Sequence, residues 1–287
     1  MIQYKYNEEE YAKQIEKNGF LTKYHMYELT ILVKYWKSQG IKPKQRKEMI
    51  YEFCEKHIEN FNKVKYFRKI NTVLRNGSKK DNPLIIIKEI PITDREIEYI
   101  NNLDIDYNYK KVLFTLLVNN KIKKEVCRIR YGDVLKFNYV GGKQKYFNEI
   151  FEMSKIPNTY KINNIINYLS NNGYIDIRTK GKINLLFVES IESSNKVVFN
   201  ITTFDNIGYY FDWYNGDEKI IRCESCGKLI KQTSNRRKYC SSCWKDKEKE
   251  DNRRYARESM RRIRQRRNVK GLENPANLHE IQQNQQL

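Results

Sequence analysis

Apolar residues in the first eighty positions recur three and four places apart, as on one face of an α-helix. This spacing predicts three amphipathic helices, over 24–39, 43–58 and 61–74. Gly40 and Pro43 lie between the first two, where glycine can end a helix in a left-handed conformation and proline suits a first helical turn. The turn-rich run 76–83 predicts a linker, so we expect a helical N-terminal domain over residues 1–82.

A central domain is expected over residues 83–218. Residues 84–90 predict a short strand. Thr93 and Glu96 have the spacing of a capping box, in which each side chain accepts a hydrogen bond from the other residue's backbone, so a helix should begin here. The apolar stretch 197–201 predicts a further strand near the end of this domain.

Three helices followed by a two-stranded hairpin are predicted between these strands. The helices cover 109–118, 146–153 and 159–170. A long basic loop over 121–145 is expected between the first and second helices. Alternating apolar residues over 174–188 predict the hairpin, with its turn at 179–182. This order of elements resembles a winged helix-turn-helix domain.

The winged-helix resemblance implies contacts with DNA. In that family the third helix enters the major groove, and the hairpin, called the wing, reaches the backbone or the minor groove. Asparagine can pair with adenine, whereas lysine contacts phosphate or guanine. Carried onto this chain, the resemblance implies helix contacts from Lys161, Asn163, Asn164 and Asn167, and wing contacts from Arg178, Lys180 and Lys182. Winged helices also serve as protein docking modules, and that alternative stays open.

Four of the six cysteines form two C-x-x-C pairs near the C-terminus. The pairs are Cys223 with Cys226, and Cys240 with Cys243. Each pair can close on one tetrahedral ion, and residues 227–239 are enough for a β-hairpin between the pairs. This spacing predicts one structural Zn²⁺, with unligated or redox-active cysteines as the alternative.

The cysteine pairs also predict their own local structure. We expect a zinc knuckle at Gly227, because glycine tolerates the positive φ that aims backbone N–H groups at sulfur. The second pair should lie in the first turn of a helix, whose positive end stabilises thiolates. That arrangement would be a treble clef. A four-stranded zinc ribbon stays open, although the residues after Trp244 are too charged and too poor in β-branched side chains for a strand.

The positive charge of the chain is concentrated beside these cysteines. The formal net charge is +20, and residues 219–270 carry 19 Lys or Arg against 6 Asp or Glu. A helix predicted over 246–267 has its acidic residues in the first half and its arginines in the second, which complements the helix dipole. Arginines on such a helix can contact phosphates and release counterions. The expected contacts are Arg236, Arg237, Arg253, Arg254, Arg257, Arg261, Arg262, Arg264, Arg266 and Arg267.

The zinc module and basic helix are therefore assigned to residues 219–267. The alternative for the helix is a solvated segment that only keeps the protein soluble. Residues 268–287 end in a Gln/Asn-rich stretch that is too polar to fold alone, and we expect them to be disordered.

Composition narrows the function classes. With no apolar run of membrane-spanning length and no signal peptide, we expect no membrane association and a location in a bacterial host cytosol. Scattered Cys54 and Cys127 fit a reducing compartment. No catalytic residue is predicted, because phosphodiester chemistry usually needs clustered carboxylates or a histidine beside a metal, and neither forms a local motif. A nuclease or recombinase remains an alternative.

Two motifs carry a family resemblance. Residues 169–175 read L-x-x-x-G-Y-I, and Cys223 begins a C-x-x-C-G-K-x-I run that continues through Asn235, Lys238 and Tyr239 to the second cysteine pair. The arrangement resembles zinc-finger proteins encoded by phages and integrative elements of low-GC Gram-positive bacteria. By association, this resemblance implies a role in the DNA transactions of a mobile element.

The sequence thus predicts a mainly α-helical chain with small β elements and three parts: an N-terminal helical domain, a winged-helix-like domain, and a four-cysteine zinc module leading into a basic helix. The expected function is non-enzymatic, zinc-dependent binding of double-stranded DNA, in transcription regulation or replication. The alternatives are a protein that binds RNA or single-stranded DNA, and a zinc-based module that recruits a protein. The N-terminal helices are a candidate contact for a protein partner.

Overall fold

The computed structural model describes residues 6–132, 137–141, 146–234 and 237–272, without the side chains of Lys180 and residues 266–272. The chain divides into two units, Met1–Asn215 and Gly216–Leu287. Both are mainly helical, with small antiparallel sheets. None of the helices in these ranges combines the length and the apolar character that crossing a bilayer requires.

The helices of the first unit are α1 (Glu8–Asn18), α2 (His25–Ser38), α3 (Pro43–His57), α4 (Lys63–Ser78), α5 (Asp94–Asn102), α6 (Tyr107–Tyr131), α7 (Tyr146–Ser154), α8 (Ile162–Asn171) and α9 (Ile207–Tyr214). Its strands are β1 (Ile90–Thr93), β2 (Tyr139–Gly141), β3 (Ile175–Arg178), β4 (Lys182–Leu185) and β5 (Val197–Ile201). The second unit contains β6 (Ile220–Arg222), β7 (Leu229–Lys231) and α10 (Ser241–Leu272).

Helix α2 packs against α1, α3 and α4 and carries much of the N-terminal core. Its buried residues include Leu29, Leu32 and Val33. Gly77 of α4 permits a close approach, because a Cβ there would lie 2.6 Å from a methyl carbon of Val33. Helices α2, α3 and α4 confirm the three helices predicted from apolar spacing, and α4 continues to Ser78, into the run predicted as a linker.

The strand predicted over 84–90 is wrong. Ile86 forms one isolated bridge to the N-terminal segment, and β1 starts only at Ile90. The Ile85 amide donates to the Glu8 carboxylate at 2.9 Å, and the Ile85 carbonyl accepts from the Glu8 amide at 3.0 Å. Contacts with a segment distant in sequence therefore satisfy this backbone in place of a strand ladder.

Strand β1 pairs antiparallel with β5, whose bounds confirm the strand predicted over 197–201. The predicted capping box is also confirmed. The Thr93 amide donates to the Glu96 carboxylate at 2.8 Å, and the Glu96 amide donates to the Thr93 hydroxyl at 3.4 Å. Helix α5 therefore begins where the motif places it.

The basic loop predicted over 121–145 is wrong in its first part, because α6 continues to Tyr131. Lysine, arginine and glutamate are good helix formers, so the polar composition does not end this helix. The Lys123 ammonium lies 3.3 Å from the ring centre of Tyr139, on β2, a strand that the sequence pattern did not predict. The remainder of the predicted loop includes residues 133–136 and 142–145, which lie outside the described residues.

Strands β2, β4 and β3 form an antiparallel sheet in that order, with Val140 and Ile177 opposite Ile183 from either side. Strands β3 and β4 confirm the predicted hairpin, and α7 confirms the helix predicted over 146–153. Helix α8 begins at Ile162 rather than at 159. The element order is therefore α6, β2, α7, α8, β3, β4.

A buried ion pair joins α9 to α6. The ammonium of Lys111 lies 2.7 Å from a carboxylate oxygen of Asp212, and only 5% and 7% of the two side chains are exposed. The hydroxyl of Tyr107 donates to the other carboxylate oxygen at 3.0 Å. Gly208 of α9 lets α7 approach closely, since a Cβ there would lie 1.8 Å from the carbonyl oxygen of Ser154. This polar network and glycine fix α9 against the central helices.

Candidate metal centre and basic helix

The first cysteine pair lies at the turn of the β6–β7 hairpin. Strands β6 and β7 pair antiparallel, and the Cys223 amide closes the turn by donating to the Lys228 carbonyl at 2.8 Å. The Gly227 amide donates to the Cys223 carbonyl at 2.9 Å, and Gly227 has a φ of +70°. Such a positive φ favours glycine, so the positive-φ turn predicted at Gly227 is confirmed.

The hairpin itself is placed differently from the prediction. Its two strands flank the first cysteine pair, and of the described strands only β7 lies between the two pairs. The turn at the first cysteine pair reverses the direction of the chain within a few residues, so the hairpin needs no separate turn farther along the chain.

The second cysteine pair lies at the start of α10, as predicted. Cys240 directly precedes the helix and Cys243 lies in its first turn, where the Trp244 amide donates to the Cys240 carbonyl at 2.9 Å. The chain after this pair is helical through Leu272, which excludes the additional strands of a four-stranded ribbon from this segment. It also extends the helix beyond the predicted end at 267, while residues 273–287 of the expected disordered tail lie outside the described residues.

The sulfur atoms of the four cysteines all lie within 4.8 Å of one another. The Sγ atoms of Cys226 and Cys240 are 3.7 Å apart. A tetrahedral zinc site with metal–sulfur bonds of about 2.3 Å has sulfur–sulfur edges of about 3.8 Å. The four cysteines can therefore hold one metal ion, and four protein ligands would leave a tetrahedral ion without an open position for substrate.

Hydrogen bonds stabilise negative charge on two of these sulfurs. The Cys240 amide donates to the Cys223 sulfur at 3.3 Å, and the Ser242 hydroxyl lies 3.1 Å from the Cys240 sulfur. Burial acts to raise the pKa of the Cys240 thiol, but hydrogen bonds from Ser242 and from the Cys243 amide lower it to about 6. At Cys223 burial also acts to raise the pKa of the thiol. Backbone hydrogen bonds, of which that from the Cys240 amide is the most important, lower this pKa below its ordinary value. This favours the thiolate form at Cys223 and Cys240, whereas burial raises the pKa of the Cys226 thiol to about 12 and also raises that of Cys243, so a metal ion would have to displace the protons of these two thiols.

The apolar core around the cysteines is small. Cys223, Ile230 and Cys240 are its buried members, with Ile221 and Tyr239 partly buried against them. Even with Ile220 and Leu229 of the same hairpin also buried, this core is small for ordering the hairpin and the helix start. A bound metal ion would supply the missing stabilisation.

The predicted arginines of the basic helix extend from its middle towards its C-terminal end. Arg254 forms an ion pair with Asp251 at 3.0 Å, and Arg237, before the helix, donates to the Thr233 hydroxyl at 3.2 Å. Arg236 lies outside the described residues, as do the side chains of Arg266 and Arg267. Among the described side chains of α10, the exposed arginines are Arg253, Arg254, Arg257, Arg261, Arg262 and Arg264.

The predicted contacts in the first unit lie on α8 and on the β3–β4 hairpin. Helix α8 buries Ile165, Ile166 and Leu169. Its opposite face exposes the predicted residues Asn163, Asn164 and Asn167, and the predicted residue Lys161 is exposed just before the helix. Arg178 and Lys182 are opposite each other in the β3–β4 ladder. Lys180 lies in the 3-10 turn between them, with its side chain outside the described residues.

The hairpin cations have partners that the sequence did not indicate. The ammonium groups of Lys123 and Lys182 lie 3.3 Å and 3.7 Å from the ring centre of Tyr139. Arg178 contacts the carboxylate of Asp176 at 2.5 Å, with both side chains partly exposed. No local pattern revealed the Tyr139 contacts, because the residues come from α6, β2 and β4, and β2 was not predicted.

No protein-family model, curated protein or solved structure matches this chain.

Proposed function

We propose that this chain is a non-enzymatic, zinc-dependent protein that binds double-stranded DNA and acts in transcription regulation or replication. The observation that carries the proposal is the set of exposed arginines on α10, a helix that begins directly at the cysteine cluster. Zinc is the metal proposed, because a tetrahedral set of four thiolates suits Zn²⁺ and forms closed structural sites. The metal would hold the start of α10 on the knuckle, and the helix would present its cations to phosphates.

The arginines of α10 are grouped by helical periodicity. At 100° per residue, Arg253, Arg257, Arg261 and Arg264 fall within an arc of about 80°, and their Cα atoms span about 16 Å along the axis. Residues 252–265 contain six arginines and one acidic residue, Glu258. A duplex carries about one phosphate charge per 1.7 Å of axis, so a cationic face of this length can meet several phosphates.

The central elements support a second contact module. Their order, α6, β2, α7, α8, β3, β4, and the strand order β2-β4-β3 agree with a winged-helix arrangement, in which α8 would be the reading helix. Strand β2 adds to the resemblance, because it supplies the strand between the first two helices. We propose that Asn163 and Asn164 contact base edges and that Arg178 and Lys182 contact the backbone.

Salt dependence tests the arginine surface. Replacing Arg257 and Arg261 by alanine should reduce the slope of log K against log salt by about 2, because each lost phosphate contact removes about 0.9 from the slope. The matched control replaces Lys44 and Lys47, two exposed lysines of α3, and removes the same charge elsewhere. An equal change of slope in both variants would contradict a phosphate contact at α10. Failure of the wild-type protein to bind DNA at low salt would overturn the function itself.

Sequence preference tests α8. Alanine at Asn163 and Asn164 should lower affinity for a selected sequence more than affinity for random DNA, since base contacts specify and phosphate contacts only position. Asn171, exposed at the C-terminal end of the same helix, provides the control. Equal losses on every sequence would show that the two asparagines do not read bases.

A further inference from the structure

An open cleft of about 420 Å³ lies at the start of α10, beside the cysteine cluster. Its volume falls within the range of about 300–1,000 Å³ that is typical of small-molecule sites. The cleft is lined by two aromatic residues, three cations and two serines. These are Tyr239 and Trp244; Arg237, Lys238 and Lys245; and Ser234 and Ser241.

The aromatic residues give the cleft flat apolar surfaces. Trp244 is 52% exposed, although it is a large side chain in a module with very little apolar core. The Lys247 ammonium fixes Tyr239 by contacting its hydroxyl at 2.7 Å and lying 4.2 Å from its ring centre. An exposed ring such as that of Trp244 can stack on a nucleobase with little regard to sequence, because every base has a π face.

The cations are suited to a phosphate beside such a base. Lys238 lies 3.2 Å from the carboxylate of Glu224, but both side chains are about half exposed, so the ion pair is weak and a phosphate can compete for the lysine. Arg237 donates to the hydroxyl of Thr233, which carries no charge to balance the guanidinium. A cleft that combines stacking surfaces with these cations fits a nucleotide better than an apolar ligand.

We propose that this cleft binds one unpaired nucleotide of DNA, with its base stacked on Trp244 and its phosphate near Arg237, Lys238 and Lys245. A base pair inside a duplex cannot stack on Trp244, because both faces of the pair are covered by its neighbours. The inference rests on the proposed function and deepens it. The arginines of α10 begin at Arg253, about 12 Å along the helix axis from Lys245. The module would thus recognise a position where duplex meets single strand.

The test compares a blunt duplex with the same duplex carrying a short single-stranded overhang, using the full-length protein loaded with zinc. The wild-type protein should prefer the overhang by about 5- to 150-fold, the range expected for one stacked base. Trp244→Ala should abolish this preference and leave affinity for the blunt duplex unchanged. Trp244→Phe should retain part of it, because a ring remains.

Tyr255→Ala is the matched control. This aromatic residue is 63% exposed on the same helix and does not line the cleft. The control should keep the preference for the overhang, and the metal content of every variant should equal that of the wild type, which shows that the module remains folded.

Three outcomes overturn the inference and are distinguishable. Tight, salt-dependent binding of both duplexes with equal affinity would refute the cleft and leave the proposed function standing. If Trp244→Ala and Tyr255→Ala lost the preference for the overhang equally, the cleft would also be refuted and the proposed function would stand, because the stacking would then not depend on the cleft. Failure to bind either duplex would refute the proposed function, and the inference with it.

Discussion

Replacing Cys226 by serine tests whether the four cysteines bind metal as one unit. Cys226 is exposed, whereas Cys223 and Cys240 are buried, so its replacement removes a ligand with little loss of packing. Its sulfur lies 3.7 Å from that of Cys240, about the edge of a tetrahedral zinc–sulfur site. A change in metal content would therefore show whether Cys226 is a metal ligand.

The expected effect follows from the energy of a structural zinc site. Apparent binding free energies for such sites are about 10–16 kcal/mol, so an equal share for each of four thiolates is about 2.5–4 kcal/mol. The loss of one share weakens metal binding by about 10²- to 10³-fold. The remaining apolar core, centred on Cys223, Ile230 and Cys240, is too small to replace that energy.

Two measurements check this prediction. Metal content after dialysis against a weak chelator should fall from one equivalent to near zero. Hydrogen exchange should accelerate at the amides of Cys223, Gly227 and Cys240, which the knuckle and the cysteine cluster now protect. The control is Cys127→Ser on α6, where the same chemical change at a partly buried cysteine should affect neither measurement.

One result would refute the reasoning. If Cys226→Ser kept one tightly bound equivalent and the same amide protection, Cys226 would not be a ligand and the cluster would not act as a four-thiolate site. A wild-type protein purified without any bound metal, and unable to bind added Zn²⁺, would contradict the site as a whole.

Three further predictions concern the first unit, each measured by chemical denaturation with metal content as the control. Asp212→Ala should cost about 3–5 kcal/mol, because it removes the carboxylate that the buried Lys111 contacts; a loss below about 1 kcal/mol would contradict this. Gly208→Ala should cost about 1–3 kcal/mol or more, since its Cβ would meet the carbonyl of Ser154, and an unchanged midpoint would show that α7 can move away. Thr93→Ala should lower the free energy of unfolding by about 1 kcal/mol, because the helix loses its cap. Thr93→Ser should keep most of that stability, because serine retains the capping hydroxyl.

Local patterns predicted most of the individual elements. The helix α8 is an example, because Ile165, Ile166 and Leu169 repeat at helical spacing and are buried together. The capping box at Thr93 and the knuckle glycine Gly227 were likewise readable, since each depends on residues only a few positions apart. In these segments the local preferences and the tertiary packing agree, so periodicity was sufficient.

Two of the failures occurred where distant residues decided the structure. Residues 84–90 have strand composition, yet Ile85 bonds to Glu8 rather than to a strand partner. Strand β2 was missed because its three residues are a strand only through their pairing with β4, and the two lysines on Tyr139 come from elements far apart in the sequence.

The helical class, the four candidate ligands and the concentration of cations after them could be predicted from the chain alone, because spacing and charge are local properties. The folded structure was needed to show that the four sulfurs converge within 4.8 Å, that the hairpin is built on the first cysteine pair, and that Lys111 contacts Asp212 inside the core. Convergence depends on the path of the backbone between distant residues. That path is set by burial and hydrogen bonding over the whole unit, which no short window of sequence contains.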